Sequence, residues 1–140
     1  MPIHTTNYIS TFIEVAEDCS VIYAEIPVFN PDKPSIAAIQ FGILNGNPYK
    51  FTSDDVLFET FAIKNELVDS ELDAARELFF SKGQACMRCS PLTKKFGFGV
   101  HVDAESKIAI YAIDSNEYQN FMADKSLKTV KAMRNKAKSK

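Results

Sequence analysis

Tryptophan is absent from this sequence, histidine occurs twice, cysteine three times and glycine five times in 140 residues. A small, odd cysteine count argues against a secreted disulfide framework and for reduced thiols, so the cytoplasm is the expected location. The start, "MPIHTTNY", lacks a basic segment followed by an apolar run, so no signal peptide is expected. Apolar runs such as "IAIYAI" are too short to span a bilayer, and no membrane partner is expected. The charged share is 24%, which argues against wholesale disorder. Eleven phenylalanines and 46% hydrophobic content suit one domain with one aromatic and aliphatic core.

Acid is also missing after Asp124. Lys125, Lys128, Lys131, Arg134, Lys136, Lys138 and Lys140 follow it, while all 18 acids lie within residues 1–124. A basic end on an acidic body can engage nucleic acid or an acidic partner, or fold back on its own body. The run is short and carries no aromatics for base stacking, so folding back is preferred and nucleic acid is disfavoured.

Periodicity outlines the elements. "STFIEVAED" alternates and reads as a strand. Three prolines make "IPVFNPDKP" a loop, and Pro34 and Ser35 open a helix through Ile36, Ile39 and Ile43 that Gly46 can end. "VLFETFAIK", rich in aromatic and branched residues, reads as a strand entered by a turn at Thr52 and Ser53. "ELDAARELFFSK" reads as a helix capped by Asp69 or Ser70 and stopped by Gly83. "FGFGVHV" and "KIAIYAI" form a hairpin, with His101 opposite Ile108 if the turn is even. Ser115 can cap "NEYQNFMAD", and Ser126 a basic terminal helix whose stripe is Leu127, Val130 and Met133. The expected fold is a single α+β domain. It has a mainly antiparallel sheet with a 96–102/107–113 hairpin and three to four helices. Residues 1–124 form the globular part, and 125–140 a basic C-terminal helix or tail of the same domain. A domain this small with an open sheet edge could also form a homodimer.

The chemistry concentrates in "SKGQACMRCSPLTKKFGFGVHVD", residues 81–103. Gly97, Gly99 and His101 share one strand face, which needs either a closely packed helix, the preferred reading, or a ligand on bare backbone. Cys86 and Cys89 have redox spacing, but they follow a helix stop and precede Ser90-Pro91. A zinc site from Cys86, Cys89 and His101, with His4, Cys19 or Asp103 fourth, lacks a second close ligand pair. No metal and no cofactor is therefore called for. A thiol enzyme using Cys86 would need His101 or His4 within reach of the sulfur. Ser90 and Pro91 open a helical turn through Leu92 and Lys95, whose amides with Arg88 and Lys94 could hold an anion. Asp54 and Asp55 could bind a cation or act as an acid–base pair from a loop, against the turn reading preferred above.

"HTTNY" at 4–8, "FIEVAEDC" at 12–19, "NPYKFTSDDVLFE" at 47–59, "FFSKGQAC" at 79–86, "SPLTKKFGFGVH" at 90–101 and "SNEYQNF" at 115–121 resemble an uncharacterised bacterial family catalogued as a domain of unknown function. The resemblance brings no activity, cofactor or substrate. It implies that the "HTTNY" start, the "TSDD" stretch, Cys86, Arg88, residues 90–92, Lys94 and His101 belong to the family pattern. That pattern has a small residue where Cys89 stands, which counts against a two-cysteine mechanism. It has tryptophan at Phe98 and glycine at Ser106.

These residues give the functional expectation. His4 to Asn7, Ser53 to Asp55 and Arg88 to His101 would converge on one pocket for an anionic small molecule, binding or catalytic. Arg88, Ser90 and Lys94, with His4 and Asn7, would line it. His101 would be the general acid or base, oriented by Asp54 or Asp55. The alternative is an interaction module that uses the basic terminal helix.

Overall fold

The computed structural model describes residues 4–136. It is one α+β domain built on a five-stranded sheet. The strands are β1 (Thr11–Glu14), β2 (Phe51–Thr52), β3 (Phe98–Val102), β4 (Lys107–Ala112) and β5 (Lys128–Lys131). Their spatial order is β2-β4-β3-β1-β5. Every pairing is antiparallel except β1 with β5. Around the sheet lie α1 (Ile36–Leu44), α2 (Ser53–Lys64), α3 (Leu72–Phe79), α4 (Pro91–Lys94) and α5 (Asn116–Ala123). No helix among the described residues is long and apolar enough to cross a membrane.

The sheet has two different faces. Ile13, Phe98, Val100, Val102 and Ile108 point to the main core, where they meet Leu44 of α1, Val56 of α2, Met87 and Leu92. Alternation sends Phe12, Gly99, His101 and Tyr111 to the other face. There α5 lies across them. Phe12 meets Tyr118 edge-on at 5.0 Å and stacks with Phe121 at 5.1 Å between ring centroids. A Cβ on Gly99 would stand 2.6 Å from Phe12 Cζ and 2.7 Å from Tyr118 Cε2. The glycine face is thus a seat for a helix, as the sequence favoured. Gly97 lies just before the strand with φ +81°, where the chain turns past Ala24.

Three expectations are corrected. Residues 56–64 belong to α2, a helix and not a strand. Thr52 starts it with a capping box: its hydroxyl accepts from Asp55 N, and Asp55 returns a bond to Thr52 N. The helix buries Val56 in the main core and Phe58 and Ala62 in a second cluster with Phe79 and Phe80. Burial on two sides erases the single apolar stripe that marks a surface helix.

The basic end is a strand, not a helix. Ser126 does not cap it; its amide and hydroxyl donate to Asp124 Oδ1 at 2.9 and 2.6 Å. Thr129 and Val130 are β-branched, and the free edge of β1 offers a partner along Thr11–Glu14. Val130 packs on the core beside buried Ala132. Lys138 and Lys140 lie outside the described residues.

The hairpin register also differs. Val102 faces Ile108 and His101 faces Ala109, because the loop is three residues, Ala104–Ser106, with Ser106 at φ +68°. Smaller shifts accompany these. Neither Asp69 nor Ser70 caps α3; a 3-10 turn over Asp69–Glu71 leads into it, and the helix ends at Phe79, before Gly83.

Gly99→Ala tests the helix seat. It should cost about 1–3 kcal/mol in urea unfolding, because Phe12 and Tyr118 cannot both retreat. A neutral result would show that α5 does not pack on this backbone.

Candidate functional site

The densest gathering of cations forms where the Met87–Cys89 turn meets the end of β5. Met87 is 1% exposed and anchors the turn in the core, which leaves Arg88 facing outward. The chain after β5 runs antiparallel to this turn. Met133 N–H donates to the Arg88 carbonyl at 2.8 Å, and Arg88 Nε donates to the Lys131 carbonyl at 2.7 Å. Ala132 is buried, so its neighbours Lys131 and Met133 turn away from the core.

Asp18 then fixes the next turn of chain. Its carboxylate accepts Asn135 N–H at 2.9 Å, Lys136 N–H at 3.0 Å and Asn135 Nδ2 at 3.2 Å. Asn135 Nδ2 also reaches the Lys94 carbonyl at 2.8 Å. The Asn135 amide and the other donors hold the Asp18 carboxyl down at about 2. A lowered carboxyl means the clamp is complete above the ordinary value of 3.8 and is lost only as pH falls through about 2.

Between these segments lies a cavity of about 420 Å³ lined by Glu17, Arg88, Lys131, Ala132, Met133, Arg134 and Lys136. Four cations face one carboxylate, and that carboxylate pairs with Arg134 at 3.1 Å. Such a site can bind an anion through Coulomb attraction and charge-assisted hydrogen bonds. Among the described residues its lining holds no histidine, cysteine or hydroxyl that could act as base or nucleophile.

The expected convergence of three polar segments is only partly present. His4 to Asn7 does meet Ser53 to Asp55. Asp54 accepts from Thr5 Oγ1 at 2.7 Å, from Thr6 N at 2.7 Å and from Thr6 Oγ1 at 2.6 Å. Asn7 Oδ1 accepts from Asp54 N at 2.9 Å, and His4 N–H is bonded to the Phe80 carbonyl. These bonds tie the N-terminal segment to the start of α2. Asp55 turns elsewhere, to Arg76 at 3.0 Å, and Arg76 also lies over the rings of Phe58 and Phe80. Neither aspartate orients His101.

Ser90 and Lys94 are not among the described residues that line the cavity with Arg88. Ser90 is buried, donates to Gln40 Oε1 at 2.5 Å and caps the one-turn α4 by accepting from Leu92 N. Lys94 contributes its backbone carbonyl to Asn135. His101 stands on the opposite sheet face. Its Nδ1 is 2.8 Å from Tyr49 Oη, which also meets Tyr111 Oη at 2.9 Å, and its ring stacks on Phe121 at 4.2 Å. Burial holds the imidazole below its ordinary 6.5, against the opposing pull of Asp103 and Asp124. The ring is packed between Tyr49 and Phe121, and Tyr49 has a left-handed backbone at φ +60°.

Cys86 Sγ lies 3.5 Å from Tyr8 Oη, and no hydrogen bond among the described residues joins it to a histidine. No group of three or more His, Cys, Asp or Glu among them could hold a metal ion. Lys131, Arg134 and Lys136 stand in the acid-free run that the sequence makes conspicuous. Their meeting with Arg88 has no local signal, because it depends on β5 joining β1 from more than a hundred residues away.

Residues 3–138 fit the model of a family of unknown function, DUF6157. No curated protein and no solved structure matches the chain.

The packed role of His101 has a pH signature. Its folded pKa lies below the unfolded value, so its contribution to stability is full above about 6.5 and is lost as pH falls through the folded value. NMR titration of the ring should give a midpoint below 6.5. Stability should drop more between about pH 7 and 5 in the wild type than in His101→Gln. A midpoint at or above 6.5 would contradict the packed assignment.

Proposed function

The chain belongs to this family of unknown function, so its activity must be argued from its own residues, and we propose that it binds a multivalent anionic small molecule between the Arg88 turn and residues 131–136. Pyrophosphate-like or polycarboxylate groups fit this chemistry. One observation carries the reading: Arg88, Lys131, Arg134 and Lys136 surround about 420 Å³ with Glu17 as the sole acid. That volume is in the range of small-molecule sites. The Arg88 guanidinium is positioned through Nε by the Lys131 carbonyl, so less ordering is required when an anion arrives. The Asp18 clamp does the same for Arg134 and Lys136. Of the residues expected at an anion site, Arg88 remains, and the acid-free run supplies its companions.

The interaction-module reading loses the amphipathic helix it required, since residues 128–131 form a strand. An acidic protein segment would compete for the same cations, but the pocket is lined by no aromatic ring for stacking nucleic-acid bases.

Calorimetric titration with pyrophosphate tests the proposal. Binding should weaken as salt is raised. Arg88→Ala should weaken it about 10- to 100-fold, the loss of one or two charge-assisted hydrogen bonds. Asp18→Asn separates geometry from charge. It makes the region more positive, so bulk electrostatics alone would tighten binding, whereas loss of the clamp should weaken it. No measurable binding at low salt, or wild-type affinity in Arg88→Ala, would overturn the reading.

A further inference from the structure

A second cavity of about 420 Å³ opens between α1, α2, α3 and residues 84–91, and its chemistry differs from that of the basic pocket. Its walls are apolar, with Ile36, Leu57, Phe61 and Phe79 prominent. Ile36 and Phe61 are 43% and 38% exposed at its surface, more than the core demands. Among the described residues no aspartate or glutamate lines it, and Lys64 is the one charged residue that does.

The polar side chains of the lining leave few free donors. Thr60 Oγ1 bonds to the Val56 carbonyl, Asn65 Nδ2 to Phe61, Gln84 Nε2 to Phe79 and Ser90 Oγ to Gln40 Oε1. Gln40 is the exception. It is 2% exposed, it lines the cavity, and its Nε2 makes no hydrogen bond among the described residues. Gln40 Nε2 meets the cavity and is not sealed away as an orphan, so an acceptor delivered by a ligand could take this donor. The Lys64 ammonium is held by the Pro34 carbonyl at 3.1 Å and retains donors for an anion.

We propose that this cavity binds a small, mainly apolar molecule ending in a carboxylate. Its apolar body would lie against Leu57, Phe61 and Phe79. Its carboxylate would take the Gln40 amide and the field of Lys64. The absence of acids in the lining selects against cationic ligands of the same shape. This site is independent of the basic pocket, and either can fail without the other.

The chain has no tryptophan, so Phe61→Trp places a single reporter in the cavity wall. Titration of this variant with decanoate, below its micellar range, should give a saturable blue shift. Decyltrimethylammonium, with the same chain and opposite charge, should bind at least about tenfold more weakly. Adding Gln40→Leu should weaken decanoate binding about tenfold, the loss of one hydrogen bond to a charged group. Should that variant fail to fold, Ala85→Leu fills the cavity from an exposed position and should abolish the shift. The proposal is overturned by no saturable shift, by equal response to both amphiphiles, or by an unchanged response in the filled variant. A blue shift that follows protein concentration without ligand would also overturn it, since a second copy would then be the occupant.

Discussion

Two hydrogen bonds at Arg88 hold the C-terminal segment to the body. The residue accepts Met133 N–H on its carbonyl and donates from Nε to the Lys131 carbonyl, 43 residues further along the chain. Together with the pairing of β5 to β1, this junction gives the segment after β5 a defined geometry. With it, and with Asp18 holding Asn135 and Lys136, Lys131, Arg134 and Lys136 join Arg88 around a cavity. Parallel pairing of β5 with β1 supplies the direction of approach, and burial of Val130 and Ala132 supplies the apolar stabilisation.

The sheet separates the remaining chemistry. Alternation along β3 puts Val100 and Val102 into the core and Gly99 and His101 on the opposite face. Ser90 lies on the core side, where it bonds to Gln40 of α1, while His101 lies under α5 against Phe121. A pocket that used both would have to pass through the sheet. Polar residues close together in sequence therefore serve three purposes. Arg88 lines the basic cavity, Ser90 caps α4 and bonds to Gln40, and His101 fills an aromatic layer.

Much of this architecture is legible in the sequence where the determinants are local. Ser35, Ser90 and Ser115 each cap the helix expected of them, and the glycine strand seats a helix at Gly99. Legibility fails where neighbours on two sides decide. Residues 56–64 carry β-rich composition, yet the Thr52–Asp55 box nucleates a helix and two apolar clusters bury it. The terminal run has helical spacing at Leu127, Val130 and Met133, but an open strand edge overrides it. The hairpin register depended on one loop residue, Ser106, adopting a left-handed backbone. Of the residues expected at the site, Arg88 lines the basic cavity with the terminal cations. Its partners were visible as charge but not as neighbours, because long-range strand pairing leaves no mark in a local window.

Residue-resolved NMR of the wild-type protein during pyrophosphate addition tests the central claim most directly. Perturbations should cluster at Arg88 Nε–H and at the amides of Lys131 to Lys136, and saturate together. Perturbations centred on Ser90 to Lys94 or on His101, or none at all, would contradict an anion site built by the junction of Arg88 with the C-terminal segment.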